Sequence, residues 1–114
     1  MPFDFEDFPV FKDAIKFIQE VDAFIEAIPQ KGNLRLIDQL QRASISIALN
    51  IAEGAGRYHK SDKRNFYVMA RGSVYECAAC FQIFKAKNLI DNGKYEMFYK
   101  ELNNLARQLS AMIK

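Results

Sequence analysis

The chain has 114 residues, half of them hydrophobic and 26% charged, with a formal net charge of +2 at pH 7. That length is one domain, able to bury roughly two-thirds of the surface its unfolded chain exposes, and the composition is that of an ordinary soluble globular protein. The start MPFDFEDF lacks the basic-then-apolar pattern of a secretory leader, so a cytoplasmic location is expected.

The first helix is predicted to begin near Pro9, a residue tolerated in a first turn. Phe11, Ala14, Ile15, Ile18, Val21, Ile25 and Ile28 recur at three- and four-residue spacing and form one apolar stripe. Pro29 stops that helix, and Asn33 is a candidate N-cap for the second. There Leu34, Ile37, Leu40, Ile45, Ile47, Leu49 and Ile51 run on toward Tyr58.

Ser61 reads as the N-cap of a third helix reaching about Lys87, with Asp62 in its first turn and Lys85 and Lys87 at its negative end. Asn88 to Asn92 turn the chain, Asp91 serving as a cap. Tyr95, Phe98, Tyr99, Leu102, Leu105, Leu109, Met112 and Ile113 mark the fourth helix. No segment alternates long enough for a strand. Short loops between long helices predict an all-α, antiparallel up-down-up-down four-helix bundle over residues 1–114.

The third helix is apolar almost all round, from Phe66 to Phe84, and the second is broad too. Within the third, Arg71, Glu76 and Gln82 interrupt the run, whereas a membrane span needs roughly 20 predominantly apolar residues. No membrane partner is expected. One bundle interior covers one side of a helix, so the second apolar side calls for another cover, most simply a further copy of the chain.

Charge is unevenly spread. Residues 1–28 carry seven acids and two bases, whereas 29–114 carry seven acids and fourteen bases. Arg57, Lys60, Lys63, Arg64 and Arg71 concentrate five bases around the single acid Asp62, a patch that can attract anionic partners.

The stretch NIAEGAGRYHKSDKRNF invites a phosphate-loop reading, because Gly54 is followed after four residues by His59-Lys60-Ser61. A phosphate loop needs a second glycine where His59 stands and a preceding strand; neither is present. Cys77 and Cys80 form a C-x-x-C, but they fall mid-helix among apolar residues and read as packing side chains. His59 is the sole imidazole and has no evident carboxylate or serine beside it. No catalytic residue, metal site or cofactor is predicted, and an enzyme is the least supported of the functional classes.

Gln39, Arg42, Ser46, Asn50, Glu53 and Arg57 share one face of the second helix. Ser73 and Glu76 fall on one stripe of the third. Antiparallel pairing about a corner near residues 59–60 would set Ser46 by Ser73 and Arg42 by Glu76. It predicts an Arg42–Glu76 ion pair and a local Glu53–Arg57 pair, with Gly72 allowing close approach of helices or subunits. These polar groups are expected to set register.

The run QRASISIALNIAEGAGR, followed by FYVMARGSVYE, resembles the 23S rRNA-intervening-sequence proteins. Members look like Q-x-x-R-A-x-x-S-I-x-x-N-I-A-E-G-x-x-R, then a phenylalanine, then A-x-G-S-x-x-E. Gln39, Arg42, Ala43, Ser46, Ile47, Asn50, Ile51, Ala52, Glu53, Gly54 and Arg57 match, and Phe66, Ala70, Gly72, Ser73 and Glu76 continue the pattern. A tryptophan frequent near the family's start is missing. The resemblance implies an up-down four-helix bundle, a homopentamer and no enzymatic activity. A similar bundle is the accessory protein of diversity-generating retroelements, a basic pentamer that binds nucleic acid and reverse transcriptase. Two functional readings follow: phosphate contacts to structured RNA or DNA through Arg57, Lys60, Lys63, Arg64 and Arg71, or a protein-interaction scaffold with a merely solvated basic corner.

Overall fold

In a computed structural model, which describes residues 3–114, the chain forms four long helices and no strand among the described residues. Met1 and Pro2, the first two residues of the MPFDFEDF start, lie outside the described residues. A short 3-10 turn, Asp4–Asp7, precedes α1 (Pro9–Ala27), α2 (Leu34–Ala55), α3 (Lys60–Ala86) and α4 (Asn92–Ile113). The molecule is elongated, 44 × 23 × 21 Å. At about 1.5 Å per residue, the 27-residue α3 accounts for nearly the whole long axis.

The helix boundaries show how each turn is satisfied. Pro9 stands in the first turn of α1, where its missing N–H costs nothing. Asp91 caps α4 as expected, its carboxylate accepting the Lys94 N–H at 2.7 Å. At the end of α3, Asn88 adopts φ +60°, Leu89 N–H reaches the Phe84 carbonyl, and Asn88 N–H reaches that of Lys85. This paired closure with Asn in the left-handed position satisfies two otherwise orphaned carbonyls.

Three boundary expectations are corrected. α2 ends at Ala55 rather than near Tyr58, where Gly56 closes the last turn through its N–H to Ala52. α3 starts at Lys60, so His59 and not Ser61 is its N-cap; the His59 carbonyl already accepts the Lys63 N–H, leaving Ser61 inside the helix. Asn33 does precede α2, but its side chain makes no cap bond. Its backbone is not extended (φ −122°, ψ 6°), and the amide instead donates to the Pro29 carbonyl and accepts Lys87 Nζ at 2.6 Å. It ties the α1–α2 connection to the far end of α3.

The core is centred on five phenylalanines from three helices: Phe17 and Phe24 of α1, Phe81 and Phe84 of α3, and Phe98 of α4. Phe81 and Phe98 stack at 4.4 Å, while Phe17 and Phe24 meet Phe98 edge-on at 5.9 and 5.7 Å. Phe17 and Phe24 were not in the predicted stripe of the first helix; Ile15, which was, points outward. The helix is rotated so that its larger aromatic surfaces are buried, which removes more apolar area from water than burying Ile15 would.

Cys77 and Cys80 are buried and unbridged, as packing side chains should be. Burial pushes both thiols up, with smaller contributions from Glu76 and, for Cys77, from Cys80. The outer faces of α2 and α3 stay apolar: Ile45, Leu49, Val68, Met69, Tyr75 and Ile83 are exposed, Leu49 to 61%. Among the described residues no helix is long and apolar enough to cross a membrane.

Candidate functional site

The α2–α3 seam carries the polar motif. Ser46 Oγ and Ser73 Oγ lie 2.9 Å apart. Asn50 Nδ2 donates to both the Ser46 carbonyl and its hydroxyl at 3.0 Å, and the Ser73 hydroxyl reaches the Met69 carbonyl at 3.2 Å. Each hydroxyl has one proton. The assignment that uses every contact is directional: Asn50 donates to Ser46, Ser46 to Ser73, and Ser73 to Met69. Such a chain strengthens each bond and locks the two helices in register.

Glu53 and Arg57 pair at 3.0 Å, as predicted, on an exposed surface where such pairs contribute about 0–1 kcal/mol. The predicted Arg42–Glu76 ion pair is not formed; among the described residues Arg57–Glu53 is the sole ion pair. The Glu76 carboxylate instead accepts the Gln39 side-chain amide. Arg42 and Glu76 nevertheless face the same cavity of about 440 Å³, together with Ile45, Ser46, Leu49, Asn50, Glu53 and Phe66. An exposed arginine gains little by immobilising its long chain beside a carboxylate that already has a donor.

The close approach of the two helices occurs at Gly54 rather than Gly72. A Cβ on Gly54 would lie 2.7 Å from Tyr67 Cε1, whereas one on Gly72 would meet nothing within 4 Å. Between helices, then, Gly72 is not needed.

The five candidate phosphate contacts fall into three groups. Arg57 turns toward the polar seam, its guanidinium 4.5 Å over the Phe66 ring. Arg71 lies against α4 and donates to Ser110 Oγ at 3.2 Å. Lys60, Lys63 and Arg64 line one concavity of about 530 Å³ together with Ser61, Tyr67, Met112 and Lys114. Lys114 was missed because only the packing of α4 brings its end beside the start of α3.

Two of those bases also serve the fold. Lys63 Nζ donates to the Ala55 carbonyl and Arg64 Nε to that of Ile113, both at 2.9 Å. Each places positive charge on the carbonyl end of a helix, α2 and α4 respectively, where it is favoured. The Arg64 bond uses Nε and leaves both terminal nitrogens of the guanidinium to other acceptors. No side chain caps the first turn of α3, so backbone donors are presented at the same end. The Tyr67 phenol is pushed up by burial and by the negative charge of Asp4, so it faces this concavity as a neutral donor. His59 is exposed and packs edge-on against Tyr58, 5.1 Å between ring centroids. Among the described residues no three His, Cys, Asp or Glu side chains are gathered as a metal ion would need.

A four-helix protein with a serine-linked seam and a basic end is thereby defined. The model of the 23S rRNA-intervening sequence protein family matches residues 6–111, and the chain belongs to that family. A crystal structure of a protein of unknown function from the S23 ribosomal protein family, from Bacteroides thetaiotaomicron, superposes with a TM-score of 0.85. It covers 92% of this chain and 98% of its own at 18% identity, a likeness of fold. No curated protein matches the sequence.

Proposed function

We propose that this is a non-enzymatic bacterial cytoplasmic protein, an antiparallel up-down-up-down bundle that self-associates as a homopentamer and binds structured RNA or DNA through phosphate contacts. The observation that carries the nucleic-acid reading is the concavity where Lys60, Lys63, Arg64 and Lys114 converge with no acidic side chain in its lining. Arg57 and Arg71, committed to Glu53 and Ser110, are auxiliary to it. Exposed Ile45, Leu49 and Met69 support self-association, since a second copy would take this apolar surface out of water. Pairing of Gln39 with Glu76, Ser46 with Ser73 and Gly54 with Tyr67 runs in opposite chain directions, in keeping with antiparallel helices. Repetition of the basic end around a ring would raise apparent affinity without strong single contacts.

The test is fluorescence anisotropy with duplex DNA, single strands and structured RNA at several salt concentrations. Phosphate contacts release counterions, so binding should weaken steeply as salt rises. Lys60→Glu and Lys114→Glu should weaken it further while leaving the bonds to Ala55 and Ile113 intact. Absence of binding at low salt would leave the protein-interaction scaffold as the better reading.

A further inference from the structure

Glu20 of α1 and Glu101 of α4 meet across the α1–α4 seam. Each is half-buried, and the Oε1 atom of each is fully shielded from water with no hydrogen-bond donor among the described residues. Asp13 of α1 accepts from both Asn104 and Gln108 of α4. Seven residues along from that contact stand Glu20 on α1 and the turn Met97–Glu101 on α4, so the Glu20 charge acts directly on Glu101. An ionised carboxylate only accepts, so two of them cannot satisfy each other unless one keeps a proton. Their setting is apolar: Glu20 stands between Phe17 and Phe24 on one row of α1, and Glu101 between Phe98 and Leu105 on one row of α4.

We propose that Glu20 and Glu101 form a proton-dependent latch, a single shared proton holding α1 against α4 and its loss setting two facing carboxylates against each other. The device belongs to the fold and is independent of the nucleic-acid reading.

Burial, the hydrogen bond to Glu20 and the Glu20 charge push the Glu101 carboxyl from its ordinary 4.5 up to about 7. The charged groups acting on Glu101 all come from α1: Lys16 favours ionisation, while Glu20 and Asp13 oppose it. Asp13 is itself held by Asn104 Nδ2 and Gln108 Nε2 of α4, each at 2.8 Å, and Arg107 donates to Asn104 rather than toward the pair. Since the folded value lies above the unfolded one, the latch stabilises the fold fully below about pH 4.5, and its contribution fades as pH rises to about 7.

Urea denaturation midpoints at several pH values between 5 and 8.5 test the latch in wild type, Glu101→Gln and Glu20→Gln. A glutamine supplies a donor that has no proton to lose. The wild-type midpoint should fall between pH 5 and about 7 and level off above that; Glu101→Gln should remove most of the fall and Glu20→Gln should reduce it. If the variants follow the wild type in parallel, the latch is wrong. Should neither variant fold, the side-chain carboxyl carbons of the ¹³C-labelled wild type decide by NMR titration. One glutamate titrating near neutrality supports the shared proton, and all glutamates titrating in the ordinary acid range would overturn it.

Discussion

The ring of Tyr67 occupies the place that a side chain on Gly54 would take, with Cε1 2.7 Å from where a Cβ would stand. Both residues are buried, so the ring has little room to retreat. Gly54→Ala should therefore cost about 1–3 kcal/mol, the usual penalty for overpacking, despite alanine's better helix propensity. Gly72→Ala, in open space on the same pair of helices, should instead raise stability by about 0.5–1 kcal/mol. Thermal unfolding of both variants checks the contrast. If the wild type self-associates and Gly72→Ala does not, Gly72 lies against a second copy.

Ser46 and Ser73 act as one unit, so their replacement should not be additive. Removal of either hydroxyl is expected to cost about 1 kcal/mol, because its partners lose a donor or an acceptor. Removing both should cost clearly less than the two single losses together. A double-mutant cycle in urea measures the coupling, and strict additivity would show that the two hydroxyls do not work as a chain.

Asn33 joins the α1–α2 connection to Lys87 at the end of α3. Asn33→Ala leaves the Pro29 carbonyl and the Lys87 ammonium without this partner and should lower stability by about 1–2 kcal/mol. If the side chain were a helix cap, Asn33→Ser would rescue it. The structure predicts no rescue, since a serine cannot reach both Pro29 and Lys87.

The thiols of Cys77 and Cys80 are raised by burial, so neither should react with an alkylating reagent in the folded protein at pH 8. Both should react once denaturant is added. A thiol whose folded value lies above its unfolded 9.0 penalises the thiolate, so stability should be unaffected below pH 9 and fall above it. Labelling followed by mass spectrometry reads the first outcome, and alkaline denaturation of Cys77→Ala against wild type reads the second.

Phe98 touches Phe17, Phe24 and Phe81, and through them joins α1, α3 and α4. Phe98→Ala should cost about 3–5 kcal/mol, enough to unfold a small domain or leave it marginal. Phe98→Leu keeps much of the volume and should fold with a reduced melting temperature. Circular dichroism of the pair would distinguish loss of helix from simple loosening.

The sequence alone determined four helices, their order and most of their limits, because apolar spacing, Pro9, Pro29 and Asp91 act within a few residues of where they stand. It also determined Ser46 beside Ser73 and Glu53 beside Arg57, since helical period and one short corner suffice for both. Tertiary structure decided what depends on rotation and on register finer than one turn. Which rows of α1 face inward selected Phe17 and Phe24 over Ile15. Gln39 rather than Arg42 reached Glu76 because two donors one turn apart on α2 compete for one carboxylate. Lys114 came beside Lys60, and Glu20 beside Glu101, only when distant segments docked. Local pattern specifies which residues form a helix; the partner of a long polar side chain is set by how whole helices pack, where a shift of a few ångströms changes which group is in reach.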